Sequence, residues 1–250
     1  MADVYVLLSK FSKLEFNEED HIYTVNGEVY PSVSGLIENF YDKFNPELAY
    51  KYADSRGFLV EQVQSAWDGE ADISIIKGNR VHNYSEDYIN NYIDNGYKFN
   101  NPDLPTCKQE LGCIQWWHDT VLSKKYPNLE PLVMELRMYN EKFKYAGTAD
   151  IILLDKSDGS LIIGDLKTNK DIFKSSYGQN LKNPFSDLEA NPFNKYQLQF
   201  SYYQILLEEM GYNVKARVLI WLNQDEVSRK LYKQYRTKNF TKDLRKTLIN

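Results

Sequence analysis

At 250 residues, with 42% hydrophobic and 26% charged side chains, the chain can bury one sizeable core, with or without a subdomain, and is ordinary for a soluble globular protein. Its two cysteines, Cys107 and Cys113, are too few for a disulfide framework or a four-cysteine zinc or iron–sulfur site. No apolar run has the length of a membrane span, Met1–Phe11 carries Asp3 where a leader would be positive, and no Gly-x4-Gly-Lys-Ser/Thr loop occurs. The expectation is a cytoplasmic protein with no membrane contact and no ATP site. The net charge of −5 divides unevenly, residues 1–100 carrying −9 and residues 101–250 carrying +4. Within Arg229–Asn250 eight basic residues face Asp243 alone. Local sign governs phosphate contact, so the C-terminal part can meet a polyanion, while the acidic half argues against strong non-specific duplex binding. Tyrosine is frequent at 20, a residue suited to stacking on bases or hydrogen-bonding sugars.

Leu14–Val33 begins with alternating apolar residues, and Ile22-Tyr23-Thr24-Val25, Asn26-Gly27, Glu28-Val29-Tyr30 reads as a hairpin on a type I′ turn. Pro31-Ser32-Val33-Ser34 reads as a helix entry capped by Ser32 or Ser34. Pro46 to about Asn95 is predicted helical, with an apolar stripe through Val81, Tyr84, Tyr88, Ile89 and Tyr92. His82 and Glu86, four apart, stand together beside that stripe. Alone, a histidine at such a place is more often structural than metal-ligating, and Glu86 is as readily a solvated charge as a support for the site. Asn95–Pro105 is a loop. Gln109–Tyr126 is predicted helical, with Leu111, Ile114, Trp117, Val121 and Leu122 on one side and His118 off it, structural or on the surface.

Leu132–Asn140 alternates as a strand, setting Val133, Glu135, Arg137 and Tyr139 against Leu132, Met134, Leu136 and Met138. Thr148–Leu154 and Leu161–Lys167 follow as two buried strands around the turn formers Asp155–Ser160. Asp150 opens the first. Asp165 and Lys167, two apart, leave one face of the second. Charges beside such apolar strands cost several kcal/mol, on the order of 3 or more, unless paired or metal-bound. Two carboxylates on neighbouring strands suit Mg2+ or Mn2+, and an ammonium alongside can orient or deprotonate a water and neutralise a phosphorane. A plain hairpin with an Asp165–Lys167 salt bridge also accounts for these residues.

The long polar stretch after Thr168, to about Asn194, carries Lys170, Lys174, Lys182 and two Asn-Pro-Phe turns. It is either a cover for a substrate channel, with Phe173, Tyr177, Phe185 and Phe193 available to stack bases, or a poorly ordered surface loop. Asn194–Met210, stopped by Gly211, is a helix with the stripe Tyr196, Phe200, Tyr203, Leu207, Met210, and Val214–Asn223 is a strand, placed at the sheet edge.

Gly147-Thr148-Ala149-Asp150 followed by Gly164-Asp165-Leu166-Lys167-Thr168 resembles the core of the PD-(D/E)XK nuclease superfamily, in its RecB-like exonuclease branch. Gly78-Asn79-Arg80-Val81-His82 with Glu86 resembles that branch's Gly-x-x-hydrophobic-His-x3-Glu element, and Gln199 with Tyr203 its Gln-hydrophobic-x-x-Tyr helix, Gln197 being the rival register. Tyr30-Pro31-Ser32-Val33-Ser34 is similar to the N-terminal region of phage RecB-like exonucleases and of the mitochondrial genome maintenance exonuclease, although an accessory hairpin explains it equally. The likeness spans residues 77–222 in family order. It implies an α/β fold: a small mixed sheet flanked by helices, with an N-terminal helical subdomain. The segments would be 1–45 (hairpin and helix start), 46–130 (helical, with the histidine), 131–225 (nuclease core) and 226–250 (basic segment).

The resemblance further implies Mg2+ or Mn2+ on His82, Asp150, Asp165 and the Leu166 carbonyl, with Asp150, Asp165, Lys167 and Glu135 catalytic. Glu135 stays open to a plain pairing with Arg137. Gln199, Tyr203, Thr168 and Lys170 would contact substrate, with Glu86 supporting the site. Some relatives hold an iron–sulfur cluster on four cysteines, which this chain cannot do alone. The implied activity is a metal-dependent DNA exonuclease acting on free or single-stranded ends in phage or bacterial recombination, repair or replication, with a protein partner left open. Two other readings stand: a non-catalytic nucleic-acid-binding or partner-docking module on the same fold, and a structure-specific or restriction-type endonuclease.

Overall fold

The computed structural model describes residues 4–42, 47–123, 125–175, 178–222 and 229–249; Pro46, Tyr177, Asn223 and Asn250 lie outside them. A short helix α1 (Val4–Ser9) leads into β1 (Leu14–Asn17), β2 (Ile22–Val25) and β3 (Glu28–Tyr30), an antiparallel three-stranded sheet. Asn26 and Gly27 both take positive φ, 52° and 79°, as a type I′ turn requires. Helix α2 (Val33–Glu38) is capped by Ser32, whose Oγ accepts from the Gly35 N–H at 3.0 Å. The predicted long helix is two helices, α3 (Glu47–Arg56) and the 35-residue α4 (Val60–Asp94). Between them Gly57 sits at φ 69°, a left-handed residue that ends α3.

Helix α5 (Lys108–Trp116) runs into a π-helical turn over Trp117–Val121, and the predicted stripe is corrected. The buried side runs through Glu110, Cys113, Trp116, Trp117 and Val121, and Leu111, upstream of the π turn, lies off it at 46% exposed. His118 is structural, as one of the two readings had it: its Nε2 lies 2.7 Å from the Tyr88 hydroxyl.

The main sheet has the order β4 (Leu129–Asn140), β5 (Tyr145–Asp155), β6 (Ser160–Lys167), β7 (Val214–Leu222), β8 (Tyr232–Arg236). β4, β5 and β6 are antiparallel through short turns, whereas β6 and β7 are parallel and need a crossover, supplied by helix α6 (Pro192–Glu209). One face packs against α2, α6, the small sheet and the C-terminal helix α7 (Thr241–Thr247); the other packs against α5 and the second half of α4. The described residues thus form an α/β structure with a mixed five-stranded sheet covered on both faces.

Three further expectations change. β7 is not the edge, because Tyr232–Arg236 pairs outside it as β8; the C-terminal basic segment is built into the sheet and into α7, where Leu244 is fully buried. The polar stretch after Thr168 is pinned down by buried Ile172, Leu181 and Phe185. Phe185 packs edge-on against Phe40 and Phe240, and Phe193 against Phe173 and Tyr235, so Phe185 is core and not a stacking platform. The second Asn-Pro-Phe is the start of α6: Asn191 caps it by accepting from the Asn194 N–H at 2.9 Å, with Pro192 in the first turn.

Candidate metal centre

Strand register sets the site. Ile151 pairs with Gly164 and the neighbouring pairs of β4 are Met134 with Ile151 and Leu136 with Ala149, so Glu135 and Asp165 flank Asp150 on either side across three adjacent strands. Glu135 has φ 49°, a left-handed conformation that costs a non-glycine residue about 1–3 kcal/mol. This breaks the predicted alternation of β4. Met134 packs on the α4–α5 side and Leu136, two residues on, on the α6 side. The strained residue is the one that carries a carboxylate to the site.

Helix α4 brings the imidazole. His82 Nδ1 lies 3.1 Å from Asp150 Oδ2, and one ligand atom from each of His82, Glu135 and Asp150 falls within 4.8 Å of the other two. Asp150 Oδ2 also accepts the Leu166 N–H at 3.2 Å, where β5 and β6 stop pairing beyond Gly164. Arg80, two residues before His82, fixes the helix to α5 through a 2.9 Å ion pair with buried Glu110.

Asp165 lies beneath, 2% exposed, with Lys167 Nζ 2.7 Å from its Oδ1. That approach makes no hydrogen bond of good geometry, and the buried oxygen keeps unused acceptor capacity. A concentration of acceptors with one imidazole, one acid strained into place and one buried carboxylate met by an ammonium fits a hard divalent cation that takes oxygen and nitrogen ligands. Asp165 stands next to Asp150 but outside the close His82–Glu135–Asp150 group, which takes in the acid of β4 that the resemblance gave as catalytic and not as a ligand. The Leu166 backbone enters through its N–H to Asp150.

The charges are interlocked. Burial would push Asp150 up, but His82 and Lys167 hold it below the usual carboxylate range. Burial and the neighbouring Asp150 push Asp165 well up, and the same two causes push Glu135 up to about 7. Burial would pull Lys167 down, yet Asp165 and Asp150 keep it above its ordinary value, as an ammonium. Burial likewise opposes a charged His82, but Asp150 outweighs it and raises the imidazole.

His82, Glu135, Asp150 and Lys167 line a cleft of about 800 Å3, with Asp165 buried behind them, that also takes in the tip of the small sheet, the start of α2 and the middle of α6. Gln199 and Tyr203 lie in its wall, joined by a 2.7 Å hydrogen bond from Gln199 Nε2 to the Tyr203 hydroxyl. Gln197 instead accepts from the Lys238 N–H on the C-terminal segment, so Gln199 and not Gln197 is the glutamine of the cleft wall. Glu86 lines the cleft, raised by burial and by Asp87. Lys170 is exposed and outside the lining, and Thr168 spends its carbonyl on Gln109 Nε2 at 3.3 Å, so neither stands in the cleft wall. Tyr196 was read only as part of an apolar stripe. Its ring lies 4.7 Å under Lys167 Nζ and its hydroxyl donates to Asn169 at 2.6 Å, holding the ammonium in place. Seven residues before Tyr203, about two turns, it shares that residue's face of α6.

No protein-family model matches the sequence and no curated protein matches it. Among solved structures the chain is similar to "Crystal structure of SSO0001", at 16% identity and a TM-score of 0.37 over 98% of this chain and 84% of that one. Among the described residues no helix is long and apolar enough to cross a membrane.

Proposed function

We propose that the protein is a metal-dependent DNA exonuclease of the PD-(D/E)XK type. The observation that carries the reading is the meeting of His82, Glu135 and Asp150, from a helix and two strands far apart in sequence, beside Asp165 and Lys167. The mixed sheet flanked by helices is compatible with that superfamily's core. His82, Glu135, Asp150 and Asp165 would hold Mg2+ or Mn2+, which supplies Lewis-acid neutralisation of the charge that builds on the phosphate. Lys167, kept as an ammonium, hydrogen-bonds the attacking water and the phosphoryl oxygens. The water oxygen bonds to phosphorus and the P–O bond to the leaving nucleotide breaks. The proton that the water loses passes to solvent through the open cleft, and the leaving oxygen takes one up in turn. Gln199 and Tyr203 present amide and hydroxyl donors from α6 to the substrate side of the cleft.

Purified protein with Mg2+ should release nucleotides from end-labelled DNA and leave closed circular DNA intact. Lys167→Ala and Asp165→Asn should each lower the rate at least about a hundredfold. Equal rates for wild type and both variants would sink the catalytic reading; cutting of the closed circle would make it an endonuclease.

A further inference from the structure

The permanent cations of the cleft wall are Lys167 and Arg137, and they are used differently. Lys167 is committed to Asp165 and to the Tyr196 ring. Arg137 leaves β4 two residues beyond Glu135, so it stands beside the metal centre, and its guanidinium lies 4.8 Å over the Phe16 ring. Its carboxylate partner is Glu18 Oε1 at 2.7 Å, in a pair whose side chains are 45% and 75% exposed. An ion pair so open to water contributes little and is readily exchanged for another anion.

The same corner carries rings. Phe16 packs at 5.1 Å on His21 and 4.5 Å on Tyr23, and all three line the cleft from the β1–β2 hairpin. His21 is exposed and sits at φ 56°, a left-handed residue that ends the turn and delivers the ring. The Tyr23 hydroxyl lies 2.9 Å from Thr148 Oγ1, fastening the hairpin to the strand that holds Asp150. An aromatic surface beside an exchangeable guanidinium has the chemistry of an unpaired nucleotide: a base for the rings, a phosphate for the arginine. A base inside a duplex cannot offer its face. The turn between β1 and β2 also bears Glu18, Glu19 and Asp20, which repel a second phosphate strand.

We propose that Phe16, His21 and Arg137 form a subsite for an unpaired nucleotide next to the scissile phosphate, which makes single-stranded DNA the substrate, and that Glu18 occupies Arg137 until a DNA phosphate displaces it. This rests on the nuclease reading above. It also gives the two partners of one ion pair opposite effects, which a structural brace would not.

The test is fluorescence anisotropy of a labelled oligothymidylate and of a blunt duplex, in EDTA to stop cleavage, over a range of salt, with cleavage in Mg2+ measured in parallel. Wild type should bind the single strand more tightly than the duplex. Arg137→Gln should weaken single-strand binding about tenfold and flatten its salt dependence by about one phosphate contact. Phe16→Leu should weaken it about fivefold or more while leaving duplex binding unchanged. Glu18→Gln should tighten it, by up to about fivefold. If Arg137→Gln and Glu18→Gln weaken binding alike, or neither changes it while wild type still cleaves, the subsite is overturned and the nuclease stands. Tighter binding of an oligouridylate than of the oligothymidylate would overturn the assignment to DNA. Wild type that neither binds nor cuts would overturn both.

Discussion

Gly147 shows how a single position without a side chain holds the cleft together. A Cβ there would come within 2.8 Å of both Tyr203 Cε1 and Val33 Cγ2, so the Gly-Thr before Asp150 lets α6 and α2 close onto β5. Gly147→Ala should destabilise the fold by about 1–3 kcal/mol and lower activity with it, read as a drop in the urea midpoint at unchanged slope. Arg80 acts at the same scale. Glu110 is 2% exposed and is held by Arg80 Nε and by donors from Thr106 and Cys107. Arg80→Ala leaves a buried carboxylate short of its counter-charge, an expected loss of about 1–3 kcal/mol in thermal or chemical melts. Asp165 and Lys167 were legible from short spacing, by the strand period, whereas Gln199 and Tyr203 came only from the resemblance, since helical spacing alone makes Tyr203 core. Glu135 was legible as a residue but not as a geometry, because nothing local announces a left-handed glutamate in a strand. Tyr196 was hidden because ring burial and ring support of an ammonium use the same helical position.

Among the elements, the β5–β6 hairpin was the easiest to read, since Asp155–Ser160 concentrates turn formers between two apolar runs. It is locked by Lys215, whose Nζ lies 2.5 Å from Asp155 Oδ2 and 3.1 Å from Asp158 Oδ2. The lysine contact, with Ser157 donors, lowers the Asp155 carboxyl to about 2. A carboxyl depressed on folding gives stability that is complete above its unfolded value of about 3.9 and is lost as pH falls toward the folded value. Asp155→Asn should therefore cost about 1 kcal/mol at neutral pH, after allowance for the half-exposed lysine, and its deficit against wild type should vanish as the pH falls from about 4 to about 2. Melting curves across that range check it, and a deficit that grows in acid would contradict it. The misread elements share a cause. β8 reads as part of a basic segment because Lys233 and Arg236 are exposed on an edge strand, and Tyr232 and Tyr235, three apart, give no strand-period signal. On α5 the apolar spacing again leaves the face undetermined, because buried Glu110 and Cys113 share a side with Trp116 and Trp117 while apolar Leu111 does not.

At the scale of the molecule, the site exists because α4, the five-stranded sheet, α6 and the small N-terminal sheet converge on one cleft. The sequence announced the hairpin but not its place over the His82–Glu135–Asp150 cluster, because contacts such as Tyr23 with Thr148 join residues far apart in the chain. If the cleft binds a divalent cation only when folded, Mn2+ well above its dissociation constant should raise the melting temperature by several degrees, a gain of about 2–3 kcal/mol at a hundredfold excess, and Asp150→Asn should abolish the gain. The most direct measurement is anomalous scattering from crystals soaked in Mn2+. A peak within ligand distance, about 2.0–2.3 Å, of His82, Glu135 and Asp150 is the expected result. A map with no peak among those side chains at saturating Mn2+, or with the metal bound elsewhere, would contradict the metal centre on which the functional reading stands.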